Sequence, residues 1–367
     1  MSHSSEREKV SAKVEEDLFL KASEGIKPLN EEIKRAAQAK IDSKTKPLGA
    51  LGQLEQLAVQ LSLIQETLEP KIECKHLFVF ASDHGVVEGG VSAYPSEVTQ
   101  QMVLNFLNGG AAINVFCRHY GIEMSVVDIG VKGEFDDHPL LLKKKVAQGT
   151  RNFALEKAMS TDQAKAAMQN GMDVFVEAFN RRPFQVMGLG DMGIGNTTAA
   201  TAIICAVTGI NPYEVVGRGT GIDDRGLERK AEIIAKALES HTPAPDDGID
   251  ILCKVGGFEI AGIAGAALVA ASEKVAVVLD GLISTAGGLI AYLINPRVRD
   301  YFIAGHKSVE RAQEAALRFM GLRPLLDLDM RLGEGTGAAI AISLVELSAK
   351  IMDEMASFDE AGVSKKL

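Results

Sequence analysis

The alternation of short apolar runs with helical stretches constrains the fold of this chain more than any other feature of its sequence. Four runs rich in Val, Phe, Leu and Met lie at residues 75–81, 124–129, 184–187 and 275–279. Apolar residues at helical spacing fill the stretches between them, for example at residues 161–179. Strands that alternate with helices form a mostly parallel sheet covered on both faces. The sequence therefore predicts an α/β fold whose ligands bind at the carboxyl ends of the strands.

Both ends of the chain are predicted to be helical. Apolar residues recur at helical spacing in residues 1–24, 31–39, 51–68 and 338–356. We predict a helical arm and small helical domain over residues 1–70, completed by about 338–367. A large α/β domain is predicted over residues 71–337.

Charge and composition exclude several classes of protein. The net charge of −10 argues against a nucleic-acid partner, which requires a basic surface. The longest apolar tract, residues 260–294, contains Glu273, Lys274 and Asp280, so it fits buried helices and strands better than a membrane span. The polar residues 1–10 show no signal peptide.

Cysteine and histidine spacing predict neither a metal site nor a redox motif. The four cysteines, Cys74, Cys117, Cys205 and Cys253, are far apart in sequence, which is typical of reduced core residues in the cytoplasm. No pair of metal-ligating residues has the spacing of a zinc protease. We therefore predict no metal and no cofactor.

A glycine-rich turn with the sequence GLGDMGIGNTT occupies residues 188–198. Its GxGxxG spacing matches a dinucleotide-binding fingerprint, but the acidic residue expected about 20 positions later is missing. A tight turn without a ligand is the second interpretation. We favour a third, in which Asn196, Thr197 and Thr198 open a helix whose free N–H groups bind one phosphate or carboxylate.

Two further glycine clusters carry candidate charges. Residues 215–224, VVGRGTGIDD, can form a nest of N–H groups for an anion, with Lys230 on the following helix. The alternative is a flexible loop with a solvated lysine. In the run RLGEGTG, Glu334 lies between two glycines and before an apolar helix. Burial there raises the pKa of a carboxyl and makes it a base, whereas an exposed loop glutamate is the alternative. His84 and His306 are interpreted as structural.

Six runs of the sequence occur between Lys46 and Glu354, namely KPLGALGQLE, ASDHGV, GLGDMGIGNTT, DGIDILCKVGGFEIAGIAG, LDGLISTAG and DMRLGEGTGAAIA. In these runs the chain resembles the nicotinate-nucleotide–dimethylbenzimidazole phosphoribosyltransferases of cobamide biosynthesis. The resemblance implies a Rossmann-like parallel sheet, a small helical domain and a dimer. It makes Glu334 the catalytic base, with Asp191 as a second carboxylate where the benzimidazole enzymes have Glu. It places the nucleotide and its phosphate at Gly193, Asn196, Thr197, Gly219, Lys230 and Ser308.

The predicted aromatic pocket departs from that family. Its residues are Tyr94, Met102, Leu332 and Met192. The benzimidazole enzymes carry Ser where this chain has Tyr94, and Gln where it has Met102. An aromatic and a soft apolar side chain there resemble the heterodimeric enzymes that use phenol or p-cresol. The resemblance implies that this chain is the catalytic subunit and has a homologous, non-identical partner.

Three alternatives remain open at this point. The chain can be a homodimeric enzyme for dimethylbenzimidazole, a non-catalytic partner subunit, or a dinucleotide-binding oxidoreductase. The presence of Glu334, Lys230 and both glycine loops speaks against the second. The preferred prediction is transfer of the phosphoribosyl group of nicotinate mononucleotide to phenol or p-cresol, with inversion and release of nicotinate.

Overall fold

A computed structural model describes residues 24–219 and 221–364 of the chain. Almost all of the predicted N-terminal arm lies outside these residues. Six parallel strands form one sheet in the order β3-β2-β1-β4-β5-β6. The strands are β1 (Lys75–Ser82), β2 (Glu123–Gly130), β3 (Leu141–Lys143), β4 (Val186–Met192), β5 (Ala276–Leu279) and β6 (Phe302–Ala304). The predicted parallel α/β fold is thus confirmed.

Helices connect the strands and extend both chain ends. They are α1 (Glu31–Asp42), α2 (Gln53–Ile64), α3 (Glu97–Leu107), α4 (Ala112–Tyr120), α5 (Thr161–Arg181), α6 (Asn196–Thr208), α7 (Pro212–Val215), α8 (Asp224–His241), α9 (Gly248–Val255), α10 (Phe258–Ser272), α11 (Leu282–Ile294), α12 (Arg311–Met320), α13 (Thr336–Glu354) and α14 (Phe358–Ala361). Two short 3-10 segments lie at Gly85–Gly89 and Pro296–Tyr301.

Sequence reasoning misplaced some of these boundaries. Strand β4 begins two residues later and ends five residues later than predicted, because its glycines interrupt the apolar pattern. The edge strands β3 and β6 were not predicted, since three residues are too few to show a period.

The strand order places a topological switch point at the middle of the sheet. Strand β1 pairs with β2 on one side and with β4 on the other. Successive connections therefore run in opposite directions from β1, which opens a crevice beyond the carboxyl ends of β1 and β4. In the register, Ala81 lies beside Met192, so the two strands end at nearly the same level. The loops after both strands meet in this crevice.

Two layers of helices cover the sheet. Helix α10 is buried along its whole length and packs on β1, β2 and β5 together with α5 and α11. On the opposite face, α13 packs against β4, β5 and α4. Because both faces are covered, the strands are apolar throughout rather than alternating. No helix within the described ranges is long and apolar enough to cross a membrane.

A second apolar cluster lies apart from the main core. It is formed by residues of α1, α2 and the last turns of α13, namely Ala37, Ile41, Ala58, Val59, Leu63 and Met352. Beside it, the ammonium of Lys46 forms a buried ion pair with Glu55 at 2.8 Å. This cluster is where a small helical domain was predicted. The division into two domains stays a prediction.

Candidate active site

A cavity of about 440 Å³ opens at the carboxyl ends of the strands. Every predicted site residue except Lys230 lines it, namely Tyr94, Met102, Asp191, Met192, Gly193, Asn196, Thr197, Gly219, Ser308, Leu332 and Glu334. A second cavity of about 340 Å³ lies between α2 and the β6 edge and contains none of these residues. The site is therefore assigned to the cavity at the switch point.

The backbone around Glu334 is held in an unusual conformation. Gly333, Glu334 and Gly335 have φ angles of +82°, +63° and +92°. A left-handed conformation costs a residue other than glycine about 1–3 kcal/mol and is typical of functional sites. The loop also presses on β4, since a Cβ at Gly190 would lie 2.3 Å from the Glu334 carbonyl oxygen. The N–H of Glu334 donates to the carbonyl of Asp191 at 3.2 Å. These contacts fix the position of Glu334.

The Glu334 carboxylate points at the start of helix α4. It is buried, with 5% of the residue exposed, and its Oε2 accepts from the N–H of Ile113 at 3.2 Å. The helix N-terminus favours the ionised form, but burial opposes it more strongly. Burial therefore raises the pKa of the Glu334 carboxyl above its usual value, and the charge of Asp280 adds to the rise. A raised pKa makes Glu334 a stronger base than a free glutamate.

A second carboxyl lies beside Glu334 at the end of β4. The Asp191 Oδ2 accepts from Asn196 Nδ2 at 2.9 Å, and its Oδ1 has no hydrogen-bond partner within the described chain. Complete burial raises the pKa of Asp191 well above its usual value. The negative charges of Asp280 and Glu259 contribute, while the hydrogen bond from Asn196 opposes them. Asp191 therefore retains a proton to a higher pH than a free aspartate does.

Asp280, which follows β5, fixes the start of helix α13, just after Glu334. Its carboxylate accepts from the N–H groups of Gly335 at 3.1 Å and Ala338 at 2.9 Å, so it caps the start of α13. His306 lines the cavity and places its Nε2 3.7 Å from the same carboxylate. His84 does not line the cavity and forms a buried 2.8 Å contact with Glu259. Both contacts have the geometry expected of structural histidines.

The start of helix α6 in the cavity lining suits an anion. Helix α6 begins at Asn196 and directs its first turn toward the cavity. Behind it, the fully buried Lys230 of α8 donates from Nζ to Thr197 Oγ1 at 2.8 Å and to the Gly217 carbonyl at 3.2 Å. Burial lowers the pKa of Lys230 to about 8, and the charge of Glu310 partly opposes the change. Lys230 thus supplies positive charge from behind Thr197 rather than from the cavity wall.

Helix α3 forms the apolar side of the cavity. It contributes Met102 and is fixed by two hydrogen bonds near its start. Ser96 donates to Asp83 at 2.6 Å, and Thr99 accepts from the N–H of Ile194 at 3.0 Å. Tyr94 precedes this helix and is about half exposed at the rim. The apolar wall is therefore tied to the turns that follow β1 and β4.

Sequence reasoning missed two charged residues that line the cavity. The Arg331 guanidinium donates to the carbonyl of Gly219 at 3.3 Å. It lies next to the GEG segment, so its position in that run could have revealed it. Glu310 accepts from the N–H of Gly219 at 2.8 Å. No pattern in the sequence distinguishes Glu310 from an exposed helix-start glutamate.

Comparison with known proteins identifies the family of the chain. The phosphoribosyltransferase family model matches residues 26–363. The nicotinate-nucleotide–dimethylbenzimidazole phosphoribosyltransferase of a Roseiflexus species is 52% identical over 93% of this chain and 97% of its own length. The chain belongs to this family. The enzyme of the same name from Geobacter sulfurreducens is 50% identical over 95% of this chain and 99% of its own.

A solved family member has the same fold. The crystal structure of the enzyme from Thermus thermophilus has a TM-score of 0.88 and 44% identity, and the match covers 92% of this chain and 100% of the other. The family predicted from the sequence motifs is therefore confirmed, and the chain is a phosphoribosyltransferase. These relatives carry the dimethylbenzimidazole name, so they do not support the predicted preference for phenols or the predicted heterodimer.

Proposed function

We propose that this chain transfers the 5-phosphoribosyl group of nicotinate mononucleotide to dimethylbenzimidazole and releases nicotinate, as a step in cobamide biosynthesis. The observation that carries the proposal is that a buried carboxylate and a helix start suited to an anion line the same cavity. Glu334 supplies the carboxylate, and Asn196 with Thr197 forms the helix start. The names of the relatives support this acceptor over phenol or p-cresol.

The chemistry requires one base and no general acid. In nicotinate mononucleotide the ring nitrogen is positively charged, so nicotinate departs with the C1′–N bonding pair and needs no proton. The free nitrogen of the benzimidazole attacks C1′ from the opposite face, which inverts the β-riboside to the α-riboside. The second nitrogen then carries an acidic N–H, and Glu334 accepts that proton. Burial raises the pKa of both carboxyls. We assign the resting proton to Asp191, whose Oδ1 has no hydrogen-bond partner within the described residues, and leave Glu334, which accepts from the Ile113 N–H, ionised.

The phosphate end is assigned from its donors and its charge. The start of α6 offers N–H groups and the Thr197 hydroxyl, and Lys230 supplies a buried positive charge. We assign Gly193, Asn196, Gly219 and Ser308 to the same nucleotide subsite, since all four line the cavity. When the phosphate is held there, C1′ of the ribose faces the acceptor. Part of the binding energy is thereby used to orient the reacting atoms.

The decisive experiment identifies the product. Purified protein is incubated with nicotinate mononucleotide and either dimethylbenzimidazole or p-cresol, and the product is identified by mass spectrometry and NMR. We expect an α-riboside phosphate of dimethylbenzimidazole and stoichiometric nicotinate. Absence of nicotinate release with both acceptors would refute the proposed transfer, and product from p-cresol alone would refute the proposed acceptor.

Phenol or p-cresol is the second candidate acceptor, and the pocket wall motivates it. Tyr94 and Met102 both line the cavity and replace the polar pair of the benzimidazole enzymes. The double variant Tyr94→Ser with Met102→Gln is expected to shift kcat/KM toward dimethylbenzimidazole by about tenfold relative to p-cresol. Leu104→Gln is the control, because Leu104 is on helix α3 with Met102 but is exposed outside the cavity. An unchanged ratio in the double variant would show that the pair does not select the acceptor.

We further propose that the chain is catalytic without a non-identical subunit. Its relatives are single chains that align over nearly their full length, which favours this interpretation over the predicted heterodimer. That identical copies pair stays a prediction, which analytical ultracentrifugation of the pure chain tests. We also propose a cytoplasmic location, since all four cysteines are free thiols.

A further inference from the structure

Glu310 is a buried acid in the part of the cavity proposed for the phosphate. It directly precedes helix α12, lines the cavity and has only 6% of its surface exposed. Its Oε1 accepts from the N–H of Gly219 at 2.8 Å. Its Oε2 has no hydrogen-bond partner among the residues that the structure describes. The Glu310 carboxylate therefore already accepts from the Gly219 N–H. This backbone donor suits an anionic ligand equally well.

The surrounding chain is shaped to admit this carboxylate. A Cβ at Gly217 would lie 1.7 Å from Glu310 Oε2, so a side chain at that position would force the two apart. The N–H of Glu310 donates to Ser308 Oγ at 3.2 Å, which fixes the start of the segment. Gly217 thus leaves room for the Glu310 carboxylate, and Ser308 fixes the backbone that carries it. The contact between Glu310 and Gly219 is therefore held in place by its surroundings.

The nearby ammonium of Lys230 donates hydrogen bonds only to neutral acceptors among the described residues. Lys230 Nζ donates to the Thr197 hydroxyl and to the Gly217 carbonyl, and its ammonium is not within ion-pair distance of an acid in the described residues. Gly219 lies close to both Lys230 and Glu310. Its N–H donates to Glu310 Oε1, and a Cβ at Gly219 would lie 3.5 Å from Lys230 Nζ. A phosphate that approached Lys230 and the Gly219 N–H would come against the Glu310 carboxylate.

We propose that the Glu310 carboxylate competes with the phosphate of the nucleotide for the N–H of Gly219, and that it thereby sets the affinity of the phosphate subsite. This rests on the proposed function only in taking the competing anion to be a nucleotide phosphate. Substrate and product both carry the phosphate, so the competition weakens both equally. A uniform change of this kind alters binding and release without altering the chemical step.

The test removes the charge of Glu310 and keeps its shape. Glu310→Gln retains an acceptor for the Gly219 N–H, and we expect it to bind both inorganic phosphate and nicotinate mononucleotide about tenfold more tightly by calorimetry. Tighter binding of both anions is a gain that a general loss of structure would not produce. Glu314→Gln is the matched control, because Glu314 is exposed on helix α12, which Glu310 directly precedes, and pairs with Arg318.

The outcomes separate this proposal from the proposed function. Equal or weaker phosphate binding in Glu310→Gln overturns the competition. If that variant does not fold, Glu310→Met, which also removes the charge, gives the same comparison with the same criterion. Wild-type protein that binds inorganic phosphate but neither binds nor converts nicotinate mononucleotide refutes the proposed function, while the phosphate measurements still decide the role of Glu310.

Discussion

Replacing Glu334 by Gln is expected to lower kcat with dimethylbenzimidazole by roughly 10²–10⁴-fold, the range attributed to one general base. The amide keeps the size of the side chain and an acceptor for the Ile113 N–H, so the fold and nucleotide affinity are expected to remain. Steady-state kinetics and calorimetry with nicotinate mononucleotide measure the two effects separately. Glu354→Gln, at the exposed end of helix α13, which begins just after Glu334, is the control. A variant with near-normal kcat would remove Glu334 from the role of base.

The pH profile provides an independent check on the same residue. Glu334 acts in its ionised form, so activity is lost as the pH falls through its pKa. Because burial raises that pKa, the acid limb of kcat/KM is expected above the ordinary glutamate value of 4.5. This limb is expected to disappear in Glu334→Gln. An acid limb that persists unchanged in the variant would belong to another group.

Replacing Lys230 by Met is expected to weaken nicotinate mononucleotide binding by roughly 10- to 100-fold, since a hydrogen bond to a charged group contributes about 1.5–3 kcal/mol. Met fills the buried space of the lysine stem and removes only the ammonium. Lys236→Met is the control, because Lys236 is on the same helix α8 but exposed and paired with Glu232.

Binding of the acceptor distinguishes a local effect from a general one. Affinity for dimethylbenzimidazole alone is expected to stay within twofold of wild type in Lys230→Met, a margin of about 0.4 kcal/mol. If nucleotide affinity is unchanged in the variant, Lys230 does not serve the phosphate. If both affinities fall together, Lys230 acts through the structure of the loop rather than through its charge.

The period of apolar residues was sufficient to predict the central strands and the long helices. Strands β1 and β2 agree with the predicted runs within about one residue because they are uninterrupted and buried. The helical stretch predicted between the first two strands is instead two helices, α3 and α4, separated by a turn in which Gly109 has a φ of +76°. Helical periodicity continues across such a turn, so the sequence pattern does not reveal the break.

The site was predictable where glycine clusters mark close backbone approach. The GEG segment and the turn before α6 both line the cavity as predicted. Glu310 and Asp280 were not found, because an isolated acid beside a turn is usually solvated. Their importance depends on which N–H groups surround them, and those come from segments distant in sequence. The hypothesis that Tyr94 and Met102 select the acceptor rests on two side chains, and two positions are too local a signal for a family resemblance to decide.

Helix α13 joins the two apolar clusters of the molecule. Its 19 residues span about 28 Å, from the turn after Glu334 to the end that carries Met352 in the second cluster. A tilt of about 2° about that far end would move the start of the helix by about 1 Å, a displacement that costs on the order of a hundredfold in rate when it falls on a reacting group. Under the proposed function, substitutions that loosen the packing of α1 and α2 are therefore expected to lower activity, although none of their residues lines the cavity.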